Sequence, residues 1–253
     1  RIRLDEEGVP TRNYGGEYYY NPVLVAQHAM NLYGRHLSGE DTLSAFHAAI
    51  DRLLSLQDER GAFLYDFEWQ YYLLDEPYEP GWVSGMAQGM ALSALARAYH
   101  LTGDEAFLAA GERALDFLLT PVADGGVMDT MADLHPSLER YVIFEEYLAE
   151  PASYTLNGFM YTLLGVYDWS VVASSARAGT YFAAGVETLR NVLPYYDLGG
   201  FSAYDLGHIT WGREPHIGVS YHSVHIYLLH ALHHVTDDEV LAAYSETWAS
   251  YVR

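Results

Sequence analysis

Residues 81–119 read GWVSGMAQGMALSALARAYHLTGDEAFLAAGERALDFLL, and this stretch decides the fold. Its second half carries apolar or small residues at helical spacing, at Phe107, Gly111, Ala114, Leu115 and Leu118. Between the two halves, residues 102–105 supply a polar turn in which Asp104 can cap the returning helix. The stretch therefore predicts a hairpin of two α-helices.

The same plan recurs four times along the chain. In each copy a helix-like stretch reaches an aromatic residue or a histidine, a short polar turn follows, and a second amphipathic stretch returns. The copies cover residues 22–54, 84–119, 156–193 and 222–252. Corresponding points are separated by 66, 68 and 66 residues, at Tyr33, Tyr99, Tyr167 and His233. The period is nearly constant, which indicates a repeat architecture.

This repeat predicts a mainly all-α fold, an incomplete (α/α) toroid of about four helical hairpins in which each hairpin buries one face on the next. The connections are long, and we expect short β-hairpins inside them, where aromatic residues cluster at residues 18–20, 63–72 and 201–204. We divide the chain into an N-terminal extended segment, residues 1–20, and a toroid domain, residues 21–253.

The composition removes several kinds of chemistry. The chain has 253 residues, with 13 Lys+Arg against 34 Asp+Glu, a formal net charge of −21 and no cysteine, and every basic residue is an arginine. A Schiff-base lysine, a thiolate nucleophile and a Cys-ligated metal are therefore excluded. The acidic balance disfavours nucleic acid as a partner, because nucleic acid binds through clustered cations. The longest charge-free stretches fall short of the roughly 20 apolar residues that a membrane span needs.

Phenols, carboxylates and imidazoles concentrate in the later connections. One connection carries Glu145, Glu146 and Tyr147, and the next carries Tyr204 and ends near Tyr221. Aromatic faces and polar groups that converge on one rim are typical of carbohydrate-binding clefts. The two adjacent glutamates are equally typical of a solvated acidic pair, because charge runs mostly lie on exposed faces.

Histidines and glutamines leave further alternatives open. His222 and His225 stand at i, i+3, which suits either zinc ligands or capping and core hydrogen bonds. Because no third ligand follows at a defined spacing, we predict no metal site. Gln27 and Gln88 occupy matching places in the first two copies. They fit either two amides that face a cleft or one repeated packing position.

Five strings of this sequence are distinctive when taken together. They are GWVSGMAQGMALSALARAYHLTGDEAFL at residues 81–108, EEY at 145–147, LNGFMYTLLGVYD at 156–168, YDL at 204–206 and YHSVHI at 221–226. In this order they resemble the C-terminal helical domain of D-glucuronyl C5-epimerases. The resemblance extends from about residue 20 to the end of the chain, with the strings in the same order. It implies a uronic-acid epimerase that inverts C5 of D-glucuronate to give L-iduronate in a heparosan-like polysaccharide or oligosaccharide, without a cofactor.

The resemblance also implies roles for individual residues. Glu146 and Tyr221 match the acid/base pair proposed for the family, and Tyr147 and Tyr204 match its other active-site tyrosines. Asn157 matches a polar residue that lines the cleft. Gln88 does so as well, and Gln27 is its counterpart in the first copy of the repeat.

The chemistry of epimerisation explains why such residues would be needed. The C5 proton lies α to a carboxylate, so its removal requires neutralising donors and one proton carrier on each face of the ring. Glu146 is the expected base, provided that burial raises its pKa toward neutrality. Tyr221 is the expected acid on the opposite face, with His222 as the neighbour that activates it. Tyr147, Tyr204 and Arg213 would then hydrogen-bond the carboxylate of the substrate.

Two departures from the family pattern keep other functions open. The animal enzymes have a large β-rich insertion between the first helix and its partner, whereas residues 32–43 pass here directly through a turn. The arginine that follows the YDL string in the family is replaced by Gly207. A polysaccharide lyase, which forms the same carbanion and then expels the group at C4, and a non-catalytic glycan-binding module are therefore the alternatives.

The expected partner is an acidic polysaccharide or oligosaccharide, and a homodimer is left open. The chain starts at Arg1, so one expectation is an exported or cell-surface protein whose N-terminal signal or anchor has been removed. The sequence itself leaves the compartment undetermined.

Overall fold

A computed structural model describes residues 1–252 of the chain. Within them, eight long α-helices form four antiparallel hairpins, and each hairpin coincides with one copy of the repeat. The pairs are α1 (Pro22–Leu37) with α2 (Leu43–Ser55), α3 (Gly85–Thr102) with α4 (Glu105–Leu118), α5 (Leu156–Val172) with α6 (Ala176–Tyr196), and α8 (Val219–Thr236) with α9 (Glu239–Ser250). The short helix α7 (Gly207–Thr210) lies in the last long connection.

The first helix of each hairpin belongs to an inner row, and the second lies outside it. Along the inner row α1 packs against α3, α3 against α5, and α5 against α8, while α2, α4, α6 and α9 each pack on their own partner. Two glycines let α3 and α5 approach closely, because a Cβ on Gly165 would overlap the backbone of Gly89. The prediction of a mainly helical, incomplete (α/α) toroid is confirmed.

Local sequence signals explain most of the helix ends. Asn21 caps α1 by accepting a hydrogen bond from the Leu24 N–H at 3.1 Å. Gly103 ends α3 in the left-handed region with φ 67°, and Asp104 then caps α4 through the Ala106 N–H at 2.8 Å. The first hairpin has no aspartate cap. Thr42 precedes α2, and its hydroxyl instead donates to the Leu32 carbonyl at 2.7 Å.

The strands are few and short. β1 (Ile2–Leu4), β2 (Pro10–Tyr14) and β3 (Glu17–Tyr19) form an antiparallel sheet in chain order, and β4 (Met128–Thr130) pairs with β5 (Val142–Phe144). Residues 18–20, expected to form strand, overlap β3. Residues 63–72 and 201–204 form only isolated bridges, which include Tyr65 with Trp82 and Asp197 with Ser202.

The N-terminal sheet is fastened to the start of the toroid. The Tyr20 hydroxyl donates to Asp5 Oδ2 at 2.7 Å, and the side-chain amide of Asn21 donates to the Tyr14 hydroxyl at 2.7 Å. The residue that caps α1 therefore also holds β2. None of the helices in residues 1–252 is both long enough and apolar enough to cross a membrane.

Candidate active site

The four inner helices all begin at one cavity, which we call the central cavity. Its volume is about 180 Å³, below the ~300–1,000 Å³ of pockets for drug-sized ligands and on the scale of a single sugar ring. The first turns of these helices contribute Val23, Met86, Asn157 and Tyr221. The connections contribute three further predicted residues, Glu146, Tyr147 and Tyr204.

Glu146 reaches the cavity because β5 ends beside two inner helices. The Gly85 N–H, at the start of α3, donates to the Glu145 carbonyl at 2.7 Å and fixes the chain that leaves the strand. The chain bends at Glu146, just after the strand, and the side chain of Glu146 lies against α5. There it packs on Gly158, where an added Cβ would overlap Glu146 Oε2. The missing side chain of Gly158 makes room for the carboxyl group.

The surroundings of Glu146 suit a base that works near neutral pH. The residue is 7% exposed, and Oε2 is buried without a hydrogen-bond partner. Burial raises the pKa of Glu146 to about 8, although the phenol of Tyr147 opposes this rise. A proton carrier is most efficient when its pKa lies near the working pH, and this carboxyl meets that condition.

Glu145 occupies a different environment from its neighbour. It is 2% exposed, neither carboxyl oxygen has a hydrogen-bond partner, and it does not line the central cavity. Burial, followed by the charge of Asp129, raises the pKa of Glu145 well above its usual range. Both glutamates are buried, so the interpretation of residues 145 and 146 as a solvated acidic pair is wrong.

Tyr204 and Tyr221 come from separate segments and meet at the cavity. The Leu156 N–H at the start of α5 donates to the Tyr204 carbonyl at 3.0 Å and holds that loop in place. The ring centroids of Tyr204 and Tyr221 are 4.2 Å apart. Burial raises the pKa of both phenols, and the nearby Glu146 raises it further. Both hydroxyls therefore stay protonated and can act as donors.

Tyr147 completes the group of phenols. Its ring stacks on Tyr71 with centroids 4.4 Å apart and lies 6.2 Å from the ring of Trp82. Burial raises the pKa of Tyr147 well above its usual range, and Glu146 adds to the effect. The side chain is thus held in an aromatic stack while its neutral hydroxyl remains a hydrogen-bond donor.

Asn157 lies in the first turn of α5 and lines the same cavity. It is 6% exposed, and its Oδ1 is buried without a partner. A buried amide oxygen without a donor is costly, so its presence beside a cavity is typical of a group that binds a ligand hydroxyl.

Four of the predicted site residues lie away from the cavity. Gln88 is fully buried and uses its amide on the backbone of Phe63, accepting from the N–H at 3.1 Å and donating to the carbonyl at 3.3 Å. Gln27 is an exposed residue of α1, and Arg213 is an exposed residue that lines a different pocket with Trp211. Of the two roles that the sequence leaves open for Gln88, a cleft amide or a packing position, the structure shows the packing position.

His222 does not face Tyr221, because adjacent residues of a helix point in different directions. It is fully buried; its Nδ1 accepts from the Ser202 N–H at 2.9 Å, and its Nε2 lies 3.0 Å from the Trp248 carbonyl. His225 Nδ1 lies 2.8 Å from the side-chain hydroxyl of Ser202. Both ring nitrogens of His222 are therefore engaged in the core, where the histidine fixes the last connection on α8.

Tyr72 occupies the space beside Gly207, where the family has an arginine side chain. A Cβ on Gly207 would lie 3.1 Å from both the Tyr72 hydroxyl and Asp205 Oδ1. That hydroxyl donates to Asp205 at 2.7 Å, and the Gly207 N–H donates to Asp205 at 3.0 Å. Tyr72 and the buried Asp205 thus order the loop that carries Tyr204.

Sequence reasoning missed a second wall of the cavity. It consists of two residues of β2, Arg12 and Tyr14, and of aromatic residues in the connection between α2 and α3, Tyr65, Phe67, Trp69 and Trp82. Tyr14 stacks on Phe67 with centroids 3.7 Å apart, and Tyr65 stacks on Trp82 at 3.8 Å. The signal was present, because Gly15-Gly16 between alternating residues is typical of a β-hairpin turn.

Comparisons with known proteins decide the family. Residues 57–250 match the model of the D-glucuronyl C5-epimerase C-terminus. The chain belongs to the D-glucuronyl C5-epimerase family. It is 34% identical over 220 residues to the D-glucuronyl C5-epimerase of Caenorhabditis elegans, and this alignment covers 82% of this chain and 35% of the worm protein. It is 31% identical over 185 residues to an uncharacterised protein of Methanocaldococcus jannaschii, and that alignment covers 73% of this chain and 56% of the archaeal protein.

This member of the D-glucuronyl C5-epimerase family thus spans about a third of the worm enzyme and a little over half of the archaeal protein. Solved structures extend the likeness of fold. The chain is similar to the cellobiose 2-epimerase of Bacillus thermoamylovorans, with a TM-score of 0.61 and 12% identity, and the superposition covers 98% of this chain and 66% of that chain. It is also similar to an α-mannanase of Bacteroides thetaiotaomicron, with a TM-score of 0.57 and 13% identity, and the superposition covers 99% of this chain and 62% of that chain.

Proposed function

We propose that this chain is a uronic-acid C5-epimerase that converts D-glucuronate to L-iduronate residues in a heparosan-like polysaccharide or oligosaccharide. Membership of the D-glucuronyl C5-epimerase family supports the reaction type. The observation that carries the proposal is that Glu146 and Tyr221, from distant parts of the chain, line one cavity of the size of a sugar ring. Inversion at a carbon needs such a pair, because a single base returns the proton to the face from which it came.

The proposed reaction moves one proton away from C5 and another onto it. The Glu146 carboxylate removes the C5 proton of D-glucuronate, and the electron pair of the C–H bond moves into the C6 carboxylate as an enediolate. The Tyr221 hydroxyl then donates its proton to the opposite face of C5, which gives L-iduronate. Glu146 is left protonated and Tyr221 is left as a phenolate, and exchange of protons with solvent restores both.

The surrounding phenols would stabilise the charge that develops. The enediolate carries two negative charges on the former carboxylate, and neutral O–H donors in a site with little water stabilise them more than bulk solvent does. Tyr147 and Tyr204 are buried, and their raised pKa keeps both hydroxyls neutral. We assign these two tyrosines to the carboxylate of the substrate, and Asn157, whose Oδ1 has no partner, to a ring hydroxyl.

Incubation with a desulfated heparosan-type oligosaccharide in deuterated water tests the proposal. We expect NMR to show loss of the C5 proton signal and the appearance of iduronate. A chain that catalyses no exchange at C5 is not an epimerase for this substrate. An unsaturated uronate, seen by its ultraviolet absorbance, would assign the same cavity to a lyase, because epimerisation forms no double bond.

A further inference from the structure

The central cavity is lined by two charged side chains of opposite sign. Among the described residues that line it, Arg12 is the one cation and Glu146 is the one carboxylate. The chain carries a formal net charge of −21. In so acidic a protein, the mouth of a pocket for an anionic sugar needs a local positive charge to offset the general repulsion.

Arg12 is directed to the cavity by the register of the N-terminal sheet. On β2 it lies two residues before Tyr14, and alternation along a strand places both side chains on one face. Tyr14 is locked there by its stack on Phe67, with centroids 3.7 Å apart, and by the hydrogen bond from Asn21. The Arg12 guanidinium carbon lies 5.5 Å from the centre of the Tyr14 ring. The guanidinium thus extends over a fixed aromatic platform.

Arg12 has no acidic partner in the part of the chain that the structure describes. Within residues 1–252 no carboxylate oxygen lies within 4.0 Å of its side-chain nitrogens, although the chain has 34 Asp+Glu. Six other arginines form ion pairs, Arg35, Arg52, Arg60, Arg97, Arg177 and Arg190. Exposed Arg12 is therefore free to bind an anion that enters the cavity.

The helix starts that form the floor of the cavity also favour a bound anion. The first turns of α1, α3, α5 and α8 contain no acidic residue, and the starts of α3, α5 and α8 have no side-chain cap. The N-terminal end of a helix carries a partial positive charge, which favours a nearby anion. The unpartnered Asn157 Oδ1, in a side chain that is 6% exposed, points independently to a ligand here.

We infer that Arg12, presented by the N-terminal sheet, binds the carboxylate of an acidic sugar in the central cavity and makes this site select uronates over neutral sugars. The inference rests on the proposed function for the class of substrate. It adds a specificity-determining residue and makes residues 1–20 one wall of the site. The charge of Arg12 also lowers the pKa of Tyr221, against the larger effects of burial and of Glu146.

The test compares two probes by isothermal titration calorimetry. One is a desulfated heparosan-type oligosaccharide, and the other is the same oligosaccharide with its carboxyl groups reduced to alcohols. Arg12→Gln should weaken binding of the uronate probe about 10- to 100-fold, the usual effect of losing a hydrogen-bonded charge, and leave binding of the reduced probe unchanged. Arg12→Lys should keep part of the preference, because it keeps the charge without the bidentate geometry.

Arg3 provides the matched control. It lies on β1, it pairs in register with Thr11, and its guanidinium carbon lies 4.1 Å from the centre of the Tyr18 ring, so it occupies the opposite face of the sheet from Arg12. Arg3→Gln should bind both probes as the wild type does. Equal affinities of the wild type for the two probes, or an unchanged preference in Arg12→Gln, would overturn the inference. Because the measurement needs no turnover, a chain that catalyses no C5 exchange but shows these shifts would refute only the proposed function.

Discussion

The two ends of the inner helices are built differently. Where these helices stop, short turns lead into the outer helices, with Gly103 and Asp237 in the left-handed region and Asp104 and Asp238 as caps. Where they start, long connections enter, and three of the four starts have no side-chain cap. The turn end satisfies its backbone groups locally. The start end leaves donors and buried polar groups for a ligand.

The difference shows how the fold separates stability from chemistry. Each short turn fixes the hairpin geometry through hydrogen bonds that depend on a few adjacent residues. The long connections place Glu146, Tyr147 and Tyr204 at the starts of helices that come from other hairpins. Substitutions at the start end should therefore mainly lower the rate of catalysis. Matched substitutions away from the cavity should change stability or have no measurable effect.

The largest expected effect comes from the two adjacent glutamates. Glu146→Gln should lower the rate of C5 exchange from D-glucuronate about 100-fold or more, because the amide cannot accept the proton. Glu145→Gln is the matched control, since that carboxyl is equally buried but does not line the cavity. It should keep the rate within about threefold, because it removes no group that touches the substrate. A comparable loss of rate in both variants would show that burial, not access to the cavity, explains the effect.

A pair of tyrosines on one helix gives the next largest difference. Tyr221 lies in the first turn of α8 at the central cavity, whereas Tyr227 lines a separate cavity with Met30 and Leu228. Tyr221→Phe should lower epimerisation about 100-fold, because the proton donor on one face of the ring is lost. Tyr227→Phe should leave it unchanged. If the two variants have equal turnover by NMR, the assignment of the start end as the catalytic end fails.

Two glycines in helices differ in what surrounds them: Gly158 packs against Glu146, whereas Gly179 faces open space. Gly158→Ala places a methyl group against Glu146 and should displace its carboxyl, lowering the exchange rate roughly tenfold and stability by about 1–3 kcal/mol. Gly179, in the first turns of α6, has no atom near an added Cβ. Gly179→Ala should instead stabilise the chain by about 0.5–1 kcal/mol, as alanine does in helices, with full activity. Urea denaturation and the exchange assay measure both, and stabilisation by Gly158→Ala would contradict the packing described.

A separate expected effect, on stability and not on rate, is a change in how stability depends on pH. Burial raises the pKa of Glu146 from 4.5 to about 8. Between these pH values the folded chain holds a proton that the unfolded chain has lost, so the stability that this group contributes is complete below pH 4.5 and is lost as the pH rises to 8. Glu146→Gln has no such proton, and its free energy of unfolding should fall less than that of the wild type across this window. A steeper fall in the variant would reverse the sign of the argument.

The sequence predicts the hairpins well because each outer helix is amphipathic and each turn carries its own signals. Prediction is weaker inside α3, where residues 85–96 are all buried and periodicity does not tell which side chain faces a cavity. The resemblance matches Gln88 to a cleft residue, whereas its amide satisfies the backbone of Phe63. Conversely, the sequence does not predict Arg12 as a site residue, because it indicates an extended segment at residues 1–20 that is separate from the toroid.

The residues that gather at the cavity were identified by resemblance and not by periodicity. Glu146, Tyr204 and Tyr221 lie far apart in sequence, and only the packing of α3, α5 and α8 brings their segments together. Local patterns contain no information about such contacts, whereas the order of the family's strings does. The burial that raises the pKa of Glu146 is likewise a property of the assembled fold.

The most direct test of the account measures C5 exchange in deuterated water from each epimer separately, in the Glu146→Gln and Tyr221→Phe variants. If the two side chains serve opposite faces of one carbon, Glu146→Gln should lose exchange from D-glucuronate and keep it from L-iduronate, and Tyr221→Phe should show the reverse. Loss of exchange from the same epimer in both variants would place the two groups on one face and contradict the account.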